Sequence, residues 1–570
     1  WVNNHPDWFI QLPYKPYPQY SYNGENLGHD DRVNLYIEDH YYDKTDATVT
    51  FKRLDTHTGN ERYIYHGNDG TSMPWNDTAQ LDFLQSEVRE AVVQTILHVA
   101  RNFSIIRFDA AMTLAKKHFQ RLWYPEPGSG GDIPTRAEHG LSREDFNRAM
   151  PVEFWREVVN RIQEEVPDTL LLAEAFWMME GYFVRTLGMH RVYNSAFMNM
   201  LKAEENEKYR NTVKNTLEFD PEILKRYVNF MNNPDEDTAI AQFGTDNKYF
   251  GVCMMMVTMP GLPMFGHGQM EGFTEKYGME YRRSYWDEQE NTDLIRRHEL
   301  EIFPLMKKRY LFSGVSDFLL YDLYTGNGDV NENVFAYSNK AGEEYALVLY
   351  NNAYSPADGW IHMSAAYAVK QEDGSKQLVQ RTLARGLGLP ADNRTFVIFQ
   401  EQRSGLWYIR NCKEFWDHGM YCSLSGYETH VFLDFQIVYD NEFGHYNQLA
   451  TFLNGKGTVN MQRSLQEVFL SPIHTLFRQL LSETTIRELY ACMRNEAQRN
   501  EREIVTELQD DYTSFYEEAL LYLPEKTETE KTWVPRQRLA AWMEAAITTG
   551  TVLLTEKEPY IREHLKNYPE

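Results

Sequence analysis

Between residues 80 and 265, short apolar runs alternate with stretches of helical spacing, and this constrains the chain more than any other feature. Leu84, Val88, Ala91, Val92, Ile96 and Val99 recur on one helix face over 80–102. Ser-Ile-Ile-Arg-Phe-Asp follows at 104–109, short and apolar like a buried strand. A second helix is expected over 151–166, with Pro151 at its first position and Pro167 beyond its end. Thr-Leu-Leu-Leu-Ala-Glu at 169–174 reads as the next strand, followed by helical sequence and a strand at 226–231. Residues 248–259 read as helix, and Gly-Leu-Pro-Met-Phe at 261–265 as a strand. Parallel strands need long crossovers, so this alternation implies an α/β fold with a parallel sheet, open or closed into a barrel.

The flanks read differently. Residues 1–75 are rich in Tyr, Pro, Asn, Asp and Gly and are expected to be loops with a few short strands. After about residue 313 come strand-like runs at 317–324, 334–337 and 345–350, the last two joined by a turn at Asn-Lys-Ala-Gly. From about 441 the sequence is helical, with Ile473, Leu476, Phe477, Leu480 and Leu481 on one face. Charges crowd 483–508 as a solvated surface. The expected domains are therefore 1–313 (parallel α/β), 314–440 (antiparallel β-sandwich) and 441–570 (helical).

Composition narrows the functional classes. With 83 acidic and 57 basic residues the formal net charge is −26, which repels a phosphate backbone but not a neutral sugar polymer. Aromatic residues make up 14% of the chain, a share that suits carbohydrate handling. No run of 18 apolar residues exists, and Val252 to Met259 ends at Pro260, so no membrane partner is expected. Four cysteines do not make a disulfide framework and are expected to be buried thiols. The chain opens at Trp1 with sequence that reads as mid-domain and has no basic-plus-apolar leader, so an excerpt of a longer protein is expected, and the location expected for that protein is cytoplasmic.

Two carboxylates stand at strand ends. Asp109 follows Ile105-Ile106-Arg107-Phe108, and strand alternation puts Arg107 on its face, where a guanidinium favours the ionised carboxylate. Glu174 follows Leu171-Leu172-Ala173, and a carboxyl just beyond an apolar strand is a candidate for a raised pKa and a general-acid role. In a parallel barrel such strand ends form the active-site rim.

These segments carry a resemblance. Ile-Ile-Arg-Phe-Asp-Ala-Ala-Met at 105–112 and Leu-Leu-Ala-Glu-Ala-Phe at 171–176 resemble the second and third signature regions of the α-amylase superfamily, glycoside hydrolase family 13. Phe-Met-Asn-Asn-Pro-Asp-Glu at 230–236 is similar to the fourth, and Gly-Leu-Pro-Met-Phe-Gly-His-Gly-Gln at 261–269 to the eighth barrel strand with its exit loop. Trp75-Asn76-Asp77 with Gln80-Leu81-Asp82 resembles the lead-in to the helix before the fourth strand. The resemblance runs over about 1–440. It implies a TIM-type (β/α)8 barrel, partial in this chain, with Asp109 as nucleophile, Glu174 as general acid/base and Asp235 as the third carboxylate. Arg107, Asn233 and His267 would contact substrate or support the site. Asp246, in Phe243-Gly244-Thr245-Asp246, is a rival for the third acid, but its context suits a helix cap.

The resemblance also implies chemistry and partners. A retaining α-glycosidase acting on α-1,4-glucans or maltooligosaccharides needs no cofactor for its chemistry, and a structural Ca²⁺ is compatible with Asp30 and Asp31. Pro234 stands where the family usually has His and cannot donate a hydrogen bond. This departure keeps a maltosyltransferase- or trehalose-synthase-like transglycosylase open, and a non-catalytic glycan-binding homologue is a further alternative. His5-Pro6-Asp7-Trp8-Phe9 resembles sequence that follows the third barrel strand, so strands one to three are expected upstream of Trp1.

Overall fold

The computed structural model describes residues 1–71, 73–176, 179–276, 283–493, 500–522, 541 and 545. The chain packs as two units, 1–389 with 415–434 and 390–414 with 435–570.

The first unit opens with an antiparallel sheet of β1 (Gln11–Leu12), β2 (Val33–Ile37), β3 (Thr50–Asp55) and β4 (Glu61–Tyr65), in the order β1-β4-β3-β2. The few short strands expected among loops thus pair into a four-stranded sheet. Its strands evade a hydrophobicity reading because charged residues occupy interior positions. Arg53 on β3 is buried, and its guanidinium donates to the carbonyls of Val2 and Asn3.

The expected parallel sheet follows: β5 (Ile105–Phe108), β6 (Leu170–Ala173), β7 (Arg191–Tyr193), β8 (Tyr227–Phe230) and β9 (Leu262–Met264), adjacent in chain order. Helix α1 (Ser86–Asn102) precedes β5, α2 (Phe154–Glu165) precedes β6, α3 (Asn206–Phe219) lies between β7 and β8, and α4 (Asn247–Thr258) between β8 and β9. Five apolar side chains of α2, namely Phe154, Trp155, Val158, Val159 and Ile162, are buried. Each contributes about 2 kcal/mol of transfer free energy before ordering costs.

Three sequence expectations shift. Helix α1 starts at Ser86 rather than near 80, because Gln80 belongs to the N-terminal sheet: its N–H donates to the Tyr65 carbonyl and its own carbonyl accepts from Ile10. Helix α2 starts at Phe154 rather than Pro151; Glu153 takes the cap position and turns its carboxylate to the Lys116 N–H. Strand β7 lies inside sequence read as helical, and at three residues it is too short to show a period.

The antiparallel region contains β10 (Leu319–Tyr324), β11 (Val334–Ala341), β12 (Glu344–Asn351), β13 (Ala357–Ser364) and the ribbon β14 (Tyr367–Lys370) with β15 (Lys376–Val379). The β11–β12 register runs from Val334↔Asn351 to Ala341↔Glu344, so the hairpin turns at Gly342-Glu343, later than expected. The fully buried Arg210 of α3 ties that helix to this sheet through Asp322, Glu332 and the Val334 carbonyl.

The second unit begins with the hairpin β16 (Thr395–Glu401) and β17 (Trp407–Asn411). In the first unit β18 (Met420–Leu424) pairs with β13, and Thr429–Phe432 of β19 (Thr429–Tyr439) pair with β12. The second unit continues with helices His445–Leu453, Met461–Phe469, Ser471–Leu480, Glu483–Met493 and Glu501–Leu520. Phe396, Ile398, Ile409, Leu449, Leu453 and Val468 form its principal core. The face of Ser471–Leu480 expected to be apolar core is only partly covered: no residue of that helix is fully buried, and Phe477 and the following Leu481 are exposed. All four cysteines are buried, as expected. Among the described residues no helix is long and apolar enough to cross a membrane.

Candidate active site

The site begins with the pairing of β5 and β6. Their register runs Ile105↔Leu170, Ile106↔Leu171, Arg107↔Leu172, Phe108↔Ala173. Carried one residue further, it sets Asp109 beside Glu174 at the C-terminal ends of neighbouring strands. Asp235 arrives from the loop after β8. Oxygens of Asp109, Glu174 and Asp235 all lie within 4.8 Å of one another.

Arg107 stands among them. Its guanidinium reaches Glu174 at 2.8 Å, Asp235 at 3.3 Å and Asp109 at 3.7 Å. The expectation that it supports Asp109 is therefore too narrow, since its closest partner is Glu174. Burial alone would lower the guanidinium pKa, but Glu174, Tyr193 and Asp109 hold it above its ordinary value. The face of Tyr193, from β7, lies 5.3 Å from the guanidinium carbon, a cation–π distance.

The carboxyls occupy unlike environments. The Glu174 side chain is 4% exposed, those of Asp109 and Asp235 45% and 54%. Burial pushes the Glu174 carboxyl up to about 8, and its hydrogen bond with Asp109 adds to the rise. Arg107 and the Ala110 N–H, which donates to Oε2 at 3.2 Å, pull against it. Ala110 adopts a left-handed backbone with φ 44° and ψ 39°, which costs an alanine about 1–2 kcal/mol. That turn aims its N–H at Glu174, and the next N–H, of Ala111, donates to the Glu174 carbonyl at 2.9 Å. Strain and function meet at one residue.

Asn233 now has a physical role. It is buried, and its Oδ1 accepts the N–H groups of Asp235 at 2.9 Å and Glu236 at 3.0 Å. This Asx turn fixes the backbone that carries Asp235. Lys276 braces the same residue from outside, donating to the Asp235 carbonyl at 2.6 Å. Gly266 lets the loop after β9 close on Asn232, where an added Cβ would lie 2.3 Å from the Asn232 amide oxygen.

Asp109, Glu174, Asp235 and Arg107 thus come together, with Asn233 behind them. His267 is exposed, its ring centroid 6.4 Å from Phe273, and stands outside the carboxylate group. Gln269, another candidate of that loop, is buried and accepts the Gly266 N–H. Asp246 occupies the cap position of α4. Trp177, an aromatic residue three positions beyond Glu174 in the sequence, lies outside the described residues. Tyr193, Lys276 and the Ala110 N–H are the members that sequence reading missed.

The three carboxylates are also the group of His, Cys, Asp or Glu side chains, among the described residues, whose spacing could ligate a cation. The Arg107 guanidinium already supplies positive charge there. Asp30 and Asp31 are not part of such a group; Asp30 accepts the Arg32 N–H.

No protein-family model matches the chain, and no curated protein matches it. Its likenesses are to solved structures. They include α-amylases and a debranching enzyme. An α-amylase from Geobacillus thermoleovorans complexed with acarbose is 13% identical, covering 65% of this chain and 70% of its own, at a TM-score of 0.40. The native Nostoc punctiforme debranching enzyme is 14% identical over 76% of this chain and 71% of its own, at 0.45. The α-amylase of H. orenii is 14% identical over 76% and 75%, at 0.39. These likenesses are distant, and the chemistry of the site is read from its own residues.

Proposed function

We propose that the protein is a retaining α-glycosidase acting on α-1,4-linked glucans or maltooligosaccharides. The observation that carries this reading is the pairing of a buried, proton-holding Glu174 with a half-exposed Asp109 at neighbouring strand ends. Two carboxyls in unlike environments are what an acid and a nucleophile require. An oxygen of each lies within 4.8 Å of the other, and so close a pair suits retention, for which the carboxyls stand about 5–5.5 Å apart against about 6.5–9.5 Å for inversion. A closer pair leaves no room for a water between the second carboxylate and the anomeric carbon.

In this mechanism Glu174 gives its proton to the glycosidic oxygen as the C1–O bond breaks, and an Asp109 oxygen forms an ester bond to C1. Glu174, now a carboxylate, takes a proton from water; the water oxygen bonds to C1 and the ester bond breaks, restoring both carboxyls. Asp235 would bind ring hydroxyls and stabilise positive charge at C1, and the Arg107 guanidinium, 3.7 Å from Asp109 and 3.3 Å from Asp235, would hold both in position.

One observation favours a second acceptor. Pro234, between Asn233 and Asp235, offers no donor where a histidine would hold substrate. A weaker hold on the sugar at the cleavage point lets a sugar hydroxyl replace water in the second step, giving a transglycosylase. The test is the product-length distribution of the native protein on maltoheptaose. Glucose and shorter chains alone identify water as the acceptor; chains longer than seven units identify a sugar. No turnover of any α-glucan would overturn both.

A further inference from the structure

The antiparallel sheet of the first unit carries an aromatic feature that the carboxylate site does not use. Tyr324 on β10 and Trp360 on β13 are direct cross-strand partners, and so are Trp360 and Tyr421 on β18. Direct partners project from the same side of a sheet. That side faces solvent, with Tyr324 40%, Trp360 44% and Tyr421 51% exposed. The reverse side is packed: Leu323, Ile361 and Cys422, each next in sequence to one of the three, are buried. These rings do not fill a core, and they occupy positions that a half-buried sheet normally gives to polar side chains.

The arrangement is held in place. Gly359 precedes Trp360, and a Cβ there would lie 2.3 Å from the Tyr324 carbonyl oxygen, so glycine lets β13 approach β10 beside the rings. The Trp360 and Tyr421 ring centroids are 5.5 Å apart, with their planes inclined at 62°. Asp358 and Ser423 are cross-strand partners on the same side, both exposed, and the Tyr421 hydroxyl donates to Asp358 Oδ2 at 3.3 Å.

Aromatic faces beside hydroxyl and carboxylate groups match a pyranose, whose C–H face is apolar and whose rim donates hydrogen bonds. The carboxylate, on a chain of net charge −26, turns away phosphates and anionic membranes. The inclination of the rings selects further. A flat, ribbon-like β-linked glucan would meet one ring at a time, whereas an α-linked chain curves and presents successive sugars at an angle. We propose that Tyr324, Trp360 and Tyr421 form a docking surface for α-glucan polymer, on elements separate from those that carry the carboxylates. The choice of an α-glucan rests on the function proposed above. Docking holds the polymer at high effective concentration near the molecule while single chains enter the site.

The test compares the wild type with Trp360→Ala, Tyr421→Ser and Glu174→Gln. Each is run by affinity electrophoresis through amylopectin, by co-sedimentation with crystalline cellulose, and in turnover assays on maltoheptaose and amylopectin. Trp360→Ala and Tyr421→Ser are expected to weaken amylopectin retardation about tenfold, leave maltoheptaose turnover unchanged, and raise KM without changing kcat on amylopectin. Glu174→Gln should be retarded like the wild type but inactive. If the wild type turns over no glucan yet shows Trp360-dependent retardation, the surface stands and the proposed enzyme falls. Unchanged retardation in both aromatic variants, or equal binding to cellulose, overturns the surface. So does a change in sedimentation coefficient on Trp360→Ala, which would assign the face to a second copy of the chain.

Discussion

Arg107 pairs more closely with Glu174, at 2.8 Å, than with Asp109 two residues along its own strand, at 3.7 Å. The cation therefore works across strands. It offsets the charge of a carboxyl whose burial favours the proton, so Glu174 can lose and regain that proton without leaving a buried charge alone. Replacing Arg107 with Leu should raise the Glu174 pKa further and destabilise the fold by only about 1 kcal/mol, because Asp109 and Asp235 are half exposed and Glu174 keeps its proton at neutral pH. Chemical denaturation would measure it, and Arg107→Lys should recover only part of the loss because it cannot span three carboxylates.

Glu174→Gln keeps the shape of the side chain and removes its titration. Turnover should fall about 10²–10⁴-fold with the circular dichroism spectrum unchanged. Wild-type rates would exclude Glu174 as the acid.

The raised carboxyl also gives a pH signature. With Glu174 at about 8 in the folded protein, the protonated acid persists through neutrality, and kcat/KM should decline as pH rises through that value. The folded state holds this proton more tightly than the unfolded state does. Its stabilising contribution is complete below the ordinary glutamate pKa of about 4.3 and is lost as pH climbs from there to about 8. Thermal unfolding across this window should show a steeper decline for the wild type than for Glu174→Gln. Asp109→Asn should lower the Glu174 pKa, because the neighbouring negative charge is lost and the charge-assisted hydrogen bond becomes a neutral one; carboxyl NMR titration reads this without needing activity.

Ala110 tests the strained turn. Ala110→Gly exchanges left-handed strain of about 1–2 kcal/mol for a chain-entropy cost of about 0.5–1 kcal/mol, so Tm should hold or rise slightly. Ala110→Val places a branched side chain at positive φ and should lower both Tm and kcat, as the N–H aimed at Glu174 swings away.

Asn233→Ala removes the acceptor for two N–H groups and frees the loop that carries Asp235. We expect kcat to fall by up to about 10²-fold while Tm drops only modestly. Asn233→Asp, which keeps the acceptor, should restore most of the rate.

Much of this site was legible in the sequence because its positions follow from strand grammar. Ile-Ile-Arg-Phe-Asp and Leu-Leu-Ala-Glu announce buried strands that end in carboxyls, and alternation puts Arg107 on the face of Asp109. Asp235 needed more than periodicity: it lies five residues beyond its strand, held by an Asx turn, and the resemblance supplied it. Tyr193 was hidden because a three-residue strand has no readable period. Lys276 was hidden because its contact spans 41 residues of chain and ends on a backbone carbonyl. The N-terminal sheet was legible only as a few unplaced short strands, for another reason. Arg53 fills an interior position by spending its donors on main-chain carbonyls, so a buried strand there looks like polar loop.

The β5–β6 register has a consequence for how the molecule matures. Side chains along a strand alternate between faces, so pairing these strands one step out of line would turn their side chains to the opposite faces and move Asp109 away from Glu174. Collapse alone does not create the acid pair; only the correctly aligned sheet does. The upward shift of the Glu174 carboxyl is then an internal reporter of alignment. Followed during refolding, the appearance of a carboxyl titrating near 8 would time the moment at which these two strands lock, separately from the burial of tyrosines and tryptophans elsewhere in the chain.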